Sequence, residues 1–114
     1  MAQQIWINGR LVPPDQATVS VYDHGLLYGD GVFEGMRFYH RRILKLATHV
    51  KRLVDSARAI RMEIGYAPQR LIEACQETVA ANELEDGYIR LLVTRGTGPL
   101  GLNPFKCQDA KVII

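Results

Sequence analysis

Three groups of residues in this 114-residue chain have the types and spacing to do chemistry. The first is Tyr28-Gly29-Asp30-Gly31-Val32-Phe33-Glu34-Gly35-Met36-Arg37. Its glycines, with Gly25 before them, allow positive φ or close approach of backbone to another group. Alternation along a strand puts Phe33, Gly35 and Arg37 on one face. An aromatic ring, a gap without a side chain and a cation would together wall a pocket for an apolar anion. The plain alternative is a glycine-rich turn that leads into an ordinary strand. The second group is Tyr88-Ile89-Arg90, where alternation puts Tyr88 and Arg90 on the face away from Ile89. An arginine within the apolar run Ile89, Leu91, Leu92, Val93 is costly unless it meets an anion, and its planar fork suits a carboxylate. That face could equally be solvated, or Arg90 could pair with a carboxylate of the domain itself. The third is Arg52, close to the start of a helix, where the dipole and a guanidinium would both attract an anion. A surface arginine in a first turn is the ordinary reading of Arg52 taken alone.

Recognisable elements must position these groups. Ile5-Trp6-Ile7, Asn8-Gly9 and Leu11-Val12 read as a hairpin with a two-residue turn, ended by Pro13-Pro14-Asp15. Val19, Val21 and Tyr22 continue an extended path. Val32–Tyr39 and Ile43-Leu44 read as two strands joined by a His40-Arg41-Arg42 turn. The period then changes: Leu46, Val50, Leu53, Val54, Ala57 and Ile60 fall on one helical face, with Thr48 as N-cap and the helix starting near His49. A second helix begins at Pro68, buries Leu71, Ile72, Cys75 and Val79, and ends near Asn82. Tyr88–Arg95 returns to strand, broken by Gly96-Thr97-Gly98-Pro99. The sum is an α+β domain, an antiparallel sheet with two helices packed on one face.

Composition narrows the function classes. The length fits one domain, and the 47% hydrophobic and 23% charged fractions are those of a globular chain. No apolar run approaches the roughly 20 residues of a membrane helix, and Met1–Trp6 does not read as a signal peptide, so a cytoplasmic protein is expected. The net charge of +2, with His40-Arg41-Arg42 as its one basic cluster, gives no electrostatic surface for nucleic acid. Cys75 and Cys107 match no metal-ligand spacing, and neither do His24, His40 and His49, so no metal is assigned. Both thiols are expected reduced and chemically neutral. Because the chain stops within the β-branched run Lys111-Val112-Ile113-Ile114, further sequence is expected beyond it.

Taken together, Trp6-Ile7-Asn8-Gly9, Ser20–Arg37, His49-Val50-Lys51-Arg52-Leu53 with Ser56-Ala57, Tyr88-Ile89-Arg90 and Gly101-Leu102-Asn103-Pro104 resemble the N-terminal small domain of the fold-type IV pyridoxal-phosphate enzymes, most closely the branched-chain aminotransferases. The resemblance covers essentially the whole chain, in order. It implies that Arg52 contacts the cofactor phosphate, that Tyr88 bonds the substrate α-carboxylate, and that Arg90 takes the distal carboxylate of glutamate or 2-oxoglutarate. Phe33 and Gly35 would line the side-chain pocket, with Arg37 beside them. It further implies an active site at the interface of a homodimer or higher homo-oligomer, where Tyr28 and the loop bearing Leu100 and Leu102 reach into the partner subunit.

The resemblance also implies a large domain that this chain lacks. That domain would carry the lysine that links to pyridoxal 5'-phosphate, the acid that pairs with the pyridine nitrogen and most phosphate contacts. Lys45, Lys51, Lys106 and Lys111 match no such position. Residues 1–114 are therefore read as a small domain truncated before the catalytic lysine, inactive alone and not expected to hold the cofactor. The activity implied for the full-length protein is amino transfer from a branched-chain L-amino acid to 2-oxoglutarate. Three alternatives stay open: the small domain of a D-amino-acid aminotransferase, that of an aminodeoxychorismate lyase, or a non-catalytic binding or dimerisation module.

Overall fold

Strict alternation in two long strands organises this chain. The computed structural model describes residues 3–114. β3 (Gly31–Tyr39) pairs antiparallel with β5 (Gly87–Thr94) over eight residue pairs, Gly31 opposite Thr94 through Phe38 opposite Gly87. Glu34, Met36 and Phe38 on β3, and Ile89, Leu91 and Val93 on β5, point to one side and are buried there. That side is covered by α2 (Leu46–Ala59) and α3 (Pro68–Asn82), whose Val50, Leu53, Ala57, Leu71, Ala74, Cys75 and Val79 complete the core. The sheet is extended by β4 (Arg42–Ile43), β6 (Lys111–Ile113) and the hairpin of β1 (Ile5–Ile7) and β2 (Arg10–Val12), in the order β2-β1-β6-β5-β3-β4. Each neighbouring pair is antiparallel. The expected α+β architecture, with two main helices on one face, is therefore what the chain adopts. Among the described residues no helix is long and apolar enough to cross a membrane.

Local sequence accounts for most of the boundaries. Asn8 and Gly9 both take positive φ at the β1–β2 turn, as do His40 and Arg41 between β3 and β4. The second turn is thus tighter than the three residues expected, and β4 is Arg42–Ile43 rather than Ile43-Leu44. Pro68 opens α3 in its first turn, as expected. α2 begins at Leu46 instead of near His49: Lys45, at φ 54°, turns the chain, and no side chain caps the helix. Thr48 is not the cap, because burying Leu46 against the core outweighs a cap worth about 1 kcal/mol. The helix ends at Ala59, so Ile60 lies beyond its apolar stripe. Burial pushes the Cys75 thiol up to about 12 and leaves it a protonated packing group.

The segment expected to run extended through Val21 and Tyr22 instead turns and enters a five-residue helix, α1 (His24–Tyr28). Asp23, fully buried, caps it by accepting from Gly25 N at 2.8 Å and Leu26 N at 3.4 Å. Its other carboxylate oxygen accepts from Thr94 Oγ1 at 2.8 Å, which fastens α1 across one end of the sheet face opposite the large helices. Gly25 makes the approach possible: a Cβ there would stand 2.6 Å from Thr94 Cγ2. Five residues are too few to display a helical period, so hydrophobic pattern could not reveal α1.

Two ion pairs tie the helices to the sheet. Arg95, just past β5, donates to both oxygens of Asp30 (3.0 and 3.1 Å) and to the carbonyls of Ile60 and Arg61 (2.7 and 2.9 Å), closing the C-terminal end of α2. Glu34, 4% exposed, accepts from Arg52 Nε and Nη2 at 2.8 Å each and from His49 Nδ1 at 2.6 Å. The Arg52 hydrogen bonds hold the Glu34 carboxyl below its ordinary range against the upward push of burial, and His49 acts in the same direction. A carboxyl depressed in the folded state contributes stability above its unfolded value, about 4.3, and loses that contribution as pH falls through the lower folded value. Thermal melts recorded from about pH 7 down to about pH 3 should therefore fall more steeply for the native chain than for Glu34→Gln. Parallel curves would remove Glu34 from the acid transition. Asp23→Ala should cost about 2 kcal/mol in urea unfolding, from the lost cap and the orphaned Thr94 hydroxyl. A loss under about 0.5 kcal/mol would show the α1 anchor to be dispensable.

Candidate active site

The alternation that buries one face of β3 and β5 leaves the other open. Register sets Phe33 opposite Leu92, Gly35 opposite Arg90 and Arg37 opposite Tyr88. Phe33, Gly35 and Arg37 share a face as expected, as do Tyr88 and Arg90, and the pairing joins the two sets on one side of the sheet. Phe33 and Tyr88 are about half exposed (56% and 50%), far more than aromatic rings in a settled core. Arg90 Nε donates to Tyr88 Oη at 3.1 Å, and its guanidinium lies 4.7 Å from the centroid of Phe33. Gly35 is necessary to this arrangement: the Tyr88 ring leans over it, and a Cβ there would sit 3.1 Å from the ring's Cε2 and Cζ.

The chemistry offered is recognition. Neither Arg90 nor Arg37 has a carboxylate partner among the described residues; Arg37 instead lies 5.8 Å from the Tyr39 ring centroid. The internal ion pair considered for Arg90 is not formed: β5 is covered on one side only, and the arginine in its apolar run faces outward. The arginine that does require an internal anion is Arg95, with its side chain 8% exposed and paired to Asp30. Because the Tyr88 oxygen accepts from Arg90, its own hydrogen is free to donate to an incoming acceptor. A guanidinium fork, a hydroxyl donor and an aromatic ring within one patch suit a carboxylate attached to an apolar body. Tyr88 and Arg90 border a cleft of about 460 Å3 at the edge of β5 that runs beneath the sheet to Phe38, Val79 and Ile89 on the helix side. It opens where β6 pairs only with Leu92–Thr94 and leaves the first half of β5 without a neighbour on that side.

Tyr28, Leu100 and Leu102 form a second group. Gly101 N donates to Tyr28 Oη at 2.9 Å, and His24 Nε2 lies 2.9 Å from the Pro99 carbonyl, which requires that nitrogen to carry the hydrogen. His24 and Tyr28 meet edge to face at 4.9 Å. Both rings thus pin the loop from its base while Leu100 and Leu102 stand largely in solvent (68% and 78% exposed). A groove of about 400 Å3 joins the α1 end, at Leu26 and Gly29, to Phe33 and Leu92 on the open face.

Arg52 is not brought to that face. It sits on α2, across β3 from Phe33 and Gly35, and both its hydrogen bonds go to Glu34. Of the lysines, Lys51 pairs with Asp55, and none of the four bonds to a member of either cluster. Glu34 and His49 were not singled out by sequence reasoning. The available signal was Glu34 itself, a charge on the inward parity of β3 with Met36 and Phe38, which demands a cationic neighbour.

A family model described as class IV amino-transferase matches residues 31–114. A Methanocaldococcus jannaschii protein named for branched-chain-amino-acid aminotransferase activity is 50% identical over 104 residues, 91% of this chain and 36% of that protein. Among solved structures, the T.th. branched-chain amino acid aminotransferase complexed with N-(5'-phosphopyridoxyl)-L-glutamate superposes with a TM-score of 0.92 at 44% identity, covering 98% of this chain and 38% of that one. The Escherichia coli branched-chain amino acid aminotransferase gives a TM-score of 0.90 at 36% identity over 99% of this chain and 40% of its own. The chain spans well under half the length of these relatives. With the family model covering more than half of the chain and the same fold found at such identity, the chain belongs to the class IV aminotransferases.

Proposed function

We propose that this chain is the small domain of a pyridoxal-phosphate transaminase that moves an amino group from a branched-chain L-amino acid to 2-oxoglutarate. The observation that carries the reading is the Tyr88–Arg90 pair stacked beside Phe33 on an otherwise unneutralised face. Such an enzyme must accept an apolar side chain and an acidic one in one pocket. Phe33 walls the space for the branched chain, while Arg90 at the edge of the same ring receives the distal carboxylate of the acidic partner. Tyr88 donates to the α-carboxylate common to both substrates, and Arg37 adds positive potential beside it. Tyr28, Leu100 and Leu102 complete the pocket of a partner subunit in a homodimer or higher homo-oligomer; the exposure of both leucines supports this.

The cofactor fits these residues only in part. Bound pyridoxal phosphate supplies an electron sink for the substrate carbon that loses its proton. This chain offers it one cation, Arg52, whose guanidinium is largely exposed on the side away from Glu34. No lysine here is placed to link to it. The chain's own work is therefore to orient substrate and exclude water, and the 114 residues alone neither hold the cofactor nor transaminate. A large domain supplied by the rest of the reading frame does both.

Protein from the complete reading frame, given pyridoxal phosphate, 2-oxoglutarate and L-leucine, should form glutamate, while the 114-residue chain should form none. Arg90→Ala should raise KM for 2-oxoglutarate by about tenfold to a hundredfold, the worth of a charge-assisted hydrogen bond, and change that for L-leucine little. Turnover with D-alanine alone would move the protein to the D-amino-acid branch. Absence of transfer would favour the lyase or the non-catalytic module. Gly35→Ala should lower kcat/KM by about tenfold, on the order of one hydrogen bond, with the melting temperature nearly kept, because the added methyl displaces the end of the Tyr88 side chain and no backbone. Unchanged kinetics would show that the Tyr88 placement is not used.

A further inference from the structure

The Glu34–His49–Arg52 cluster is built with more order than tying a helix to a sheet requires. Glu34 lies between Phe33 and Gly35 in sequence but turns to the opposite face, and its carboxylate accepts three hydrogen bonds from α2. Arg52 meets it side-on, through Nε and Nη2, one nitrogen to each oxygen at 2.8 Å. That geometry uses one edge of the guanidinium fork and leaves Nη1 and the second hydrogen of Nη2 without a partner among the described residues. The Arg52 side chain is 68% exposed, so this end-on edge faces outward. His49, three residues earlier on the same helix, gives its Nδ1 hydrogen to Glu34 at 2.6 Å; this fixes the tautomer and ring orientation and leaves Nε2 free of the cluster. A buried carboxylate thus holds two side chains of one helix face, with the second edge of the Arg52 guanidinium toward solvent.

We propose that Glu34 is the positioning residue for phosphate recognition by Arg52: it clamps the side-on edge of the guanidinium so that the end-on edge is presented to a phosphate ester, and it fixes His49 beside it. The inference rests on the reading of Arg52 as a contact of the cofactor phosphate, and extends it to two residues to which that reading gives no part. Two effects of Glu34 compete. Its charge offsets that of Arg52, which weakens attraction for a phosphate. Its geometry removes the rotamer freedom that a long exposed arginine would otherwise lose on binding. The bidentate bond, the nearly complete burial of the carboxylate and the third hydrogen bond from His49 all serve orientation, and orientation decides the sign.

The test uses apoprotein from the complete reading frame, titrated spectroscopically with pyridoxal 5'-phosphate and, separately, with pyridoxal, which lacks the phosphate. The ratio of the two dissociation constants isolates what the phosphate contributes; a general loosening of the fold would move both constants together. Arg52→Ala should shrink the ratio by about tenfold or more, the scale of one charge-assisted contact. Glu34→Gln, which keeps shape but loses the two-oxygen acceptor, should shrink it by a comparable factor and add nothing further in the Arg52→Ala background. Arg52→Lys, which keeps the charge but has no fork to clamp, should behave like Glu34→Gln and replaces it should that variant not fold. A ratio unchanged or raised in Glu34→Gln, with Arg52→Ala lowering it, overturns the positioning role and leaves the Arg52 assignment standing. A ratio unchanged in Arg52→Ala overturns that assignment itself.

Discussion

The open-face cluster of the candidate site depends on the eight-pair register between β3 and β5. The register sends Met36, Phe38, Ile89, Leu91 and Val93 under the helices, and the same geometry sends Phe33, Gly35, Arg37, Tyr88 and Arg90 to the open side. A slip of one residue by β5 would turn its parity over, exposing Ile89, Leu91 and Val93 and burying the unpaired Arg90 guanidinium. At about 2 kcal/mol for each exposed core side chain, with a buried unpaired charge added, the loss is of the same size as the roughly 5–15 kcal/mol that holds a domain together. Core and site are thus two readings of one pairing, and the recognition surface inherits its rigidity from the hydrophobic core behind it.

Polar groups then make the remainder specific. Asp23 joins α1 to β5 through Thr94, Arg95 closes α2 against the Asp30 loop, and Glu34 fastens α2 to the centre of β3. Among the described residues no buried side-chain nitrogen or oxygen lacks a partner. That completeness matters because each of these groups, left alone, would cost more than it contributes when paired. The three ties hold a five-residue helix, the C-terminal end of α2 and the first turns of α2, whose start has no side-chain cap.

Period and turn chemistry made part of this structure legible in the sequence. The alternation through Phe33, Gly35 and Arg37, the Asn8-Gly9 turn and the start of α3 at Pro68 all lie in local pattern. The site's open-face cluster was legible for the same reason, since parity alone puts Tyr88 and Arg90 on one side. The features missed depend on contacts distant in sequence. α1 exists because Asp23 meets Thr94, 71 positions away, and α2 starts early because Leu46 finds the core. Arg90 stands out as a charge in an apolar strand, yet strand burial is one-sided here and Arg95 is the arginine that needed an internal anion. Sequence gives the parity of a side chain readily; it does not tell which face will be covered.

The division of groups between the two faces also bears on how a transaminase of this kind separates recognition from chemistry. Donors and apolar surface that would read a substrate occupy the open face, anchored in the paired backbone of β3 and β5. The one cation assigned to cofactor phosphate sits on the other side of β3, one residue away in the strand from Phe33 and from Gly35 through its bond to Glu34. A displacement of β3 would therefore move the substrate wall and the Arg52 anchor together and preserve their spacing. For an enzyme in which substrates of different shape must present the same carbon to the same cofactor atom, constancy of that spacing matters more than tight binding by either half. Placing Phe33, Glu34 and Gly35 consecutively in one paired strand achieves it with the shortest linkage a polypeptide allows.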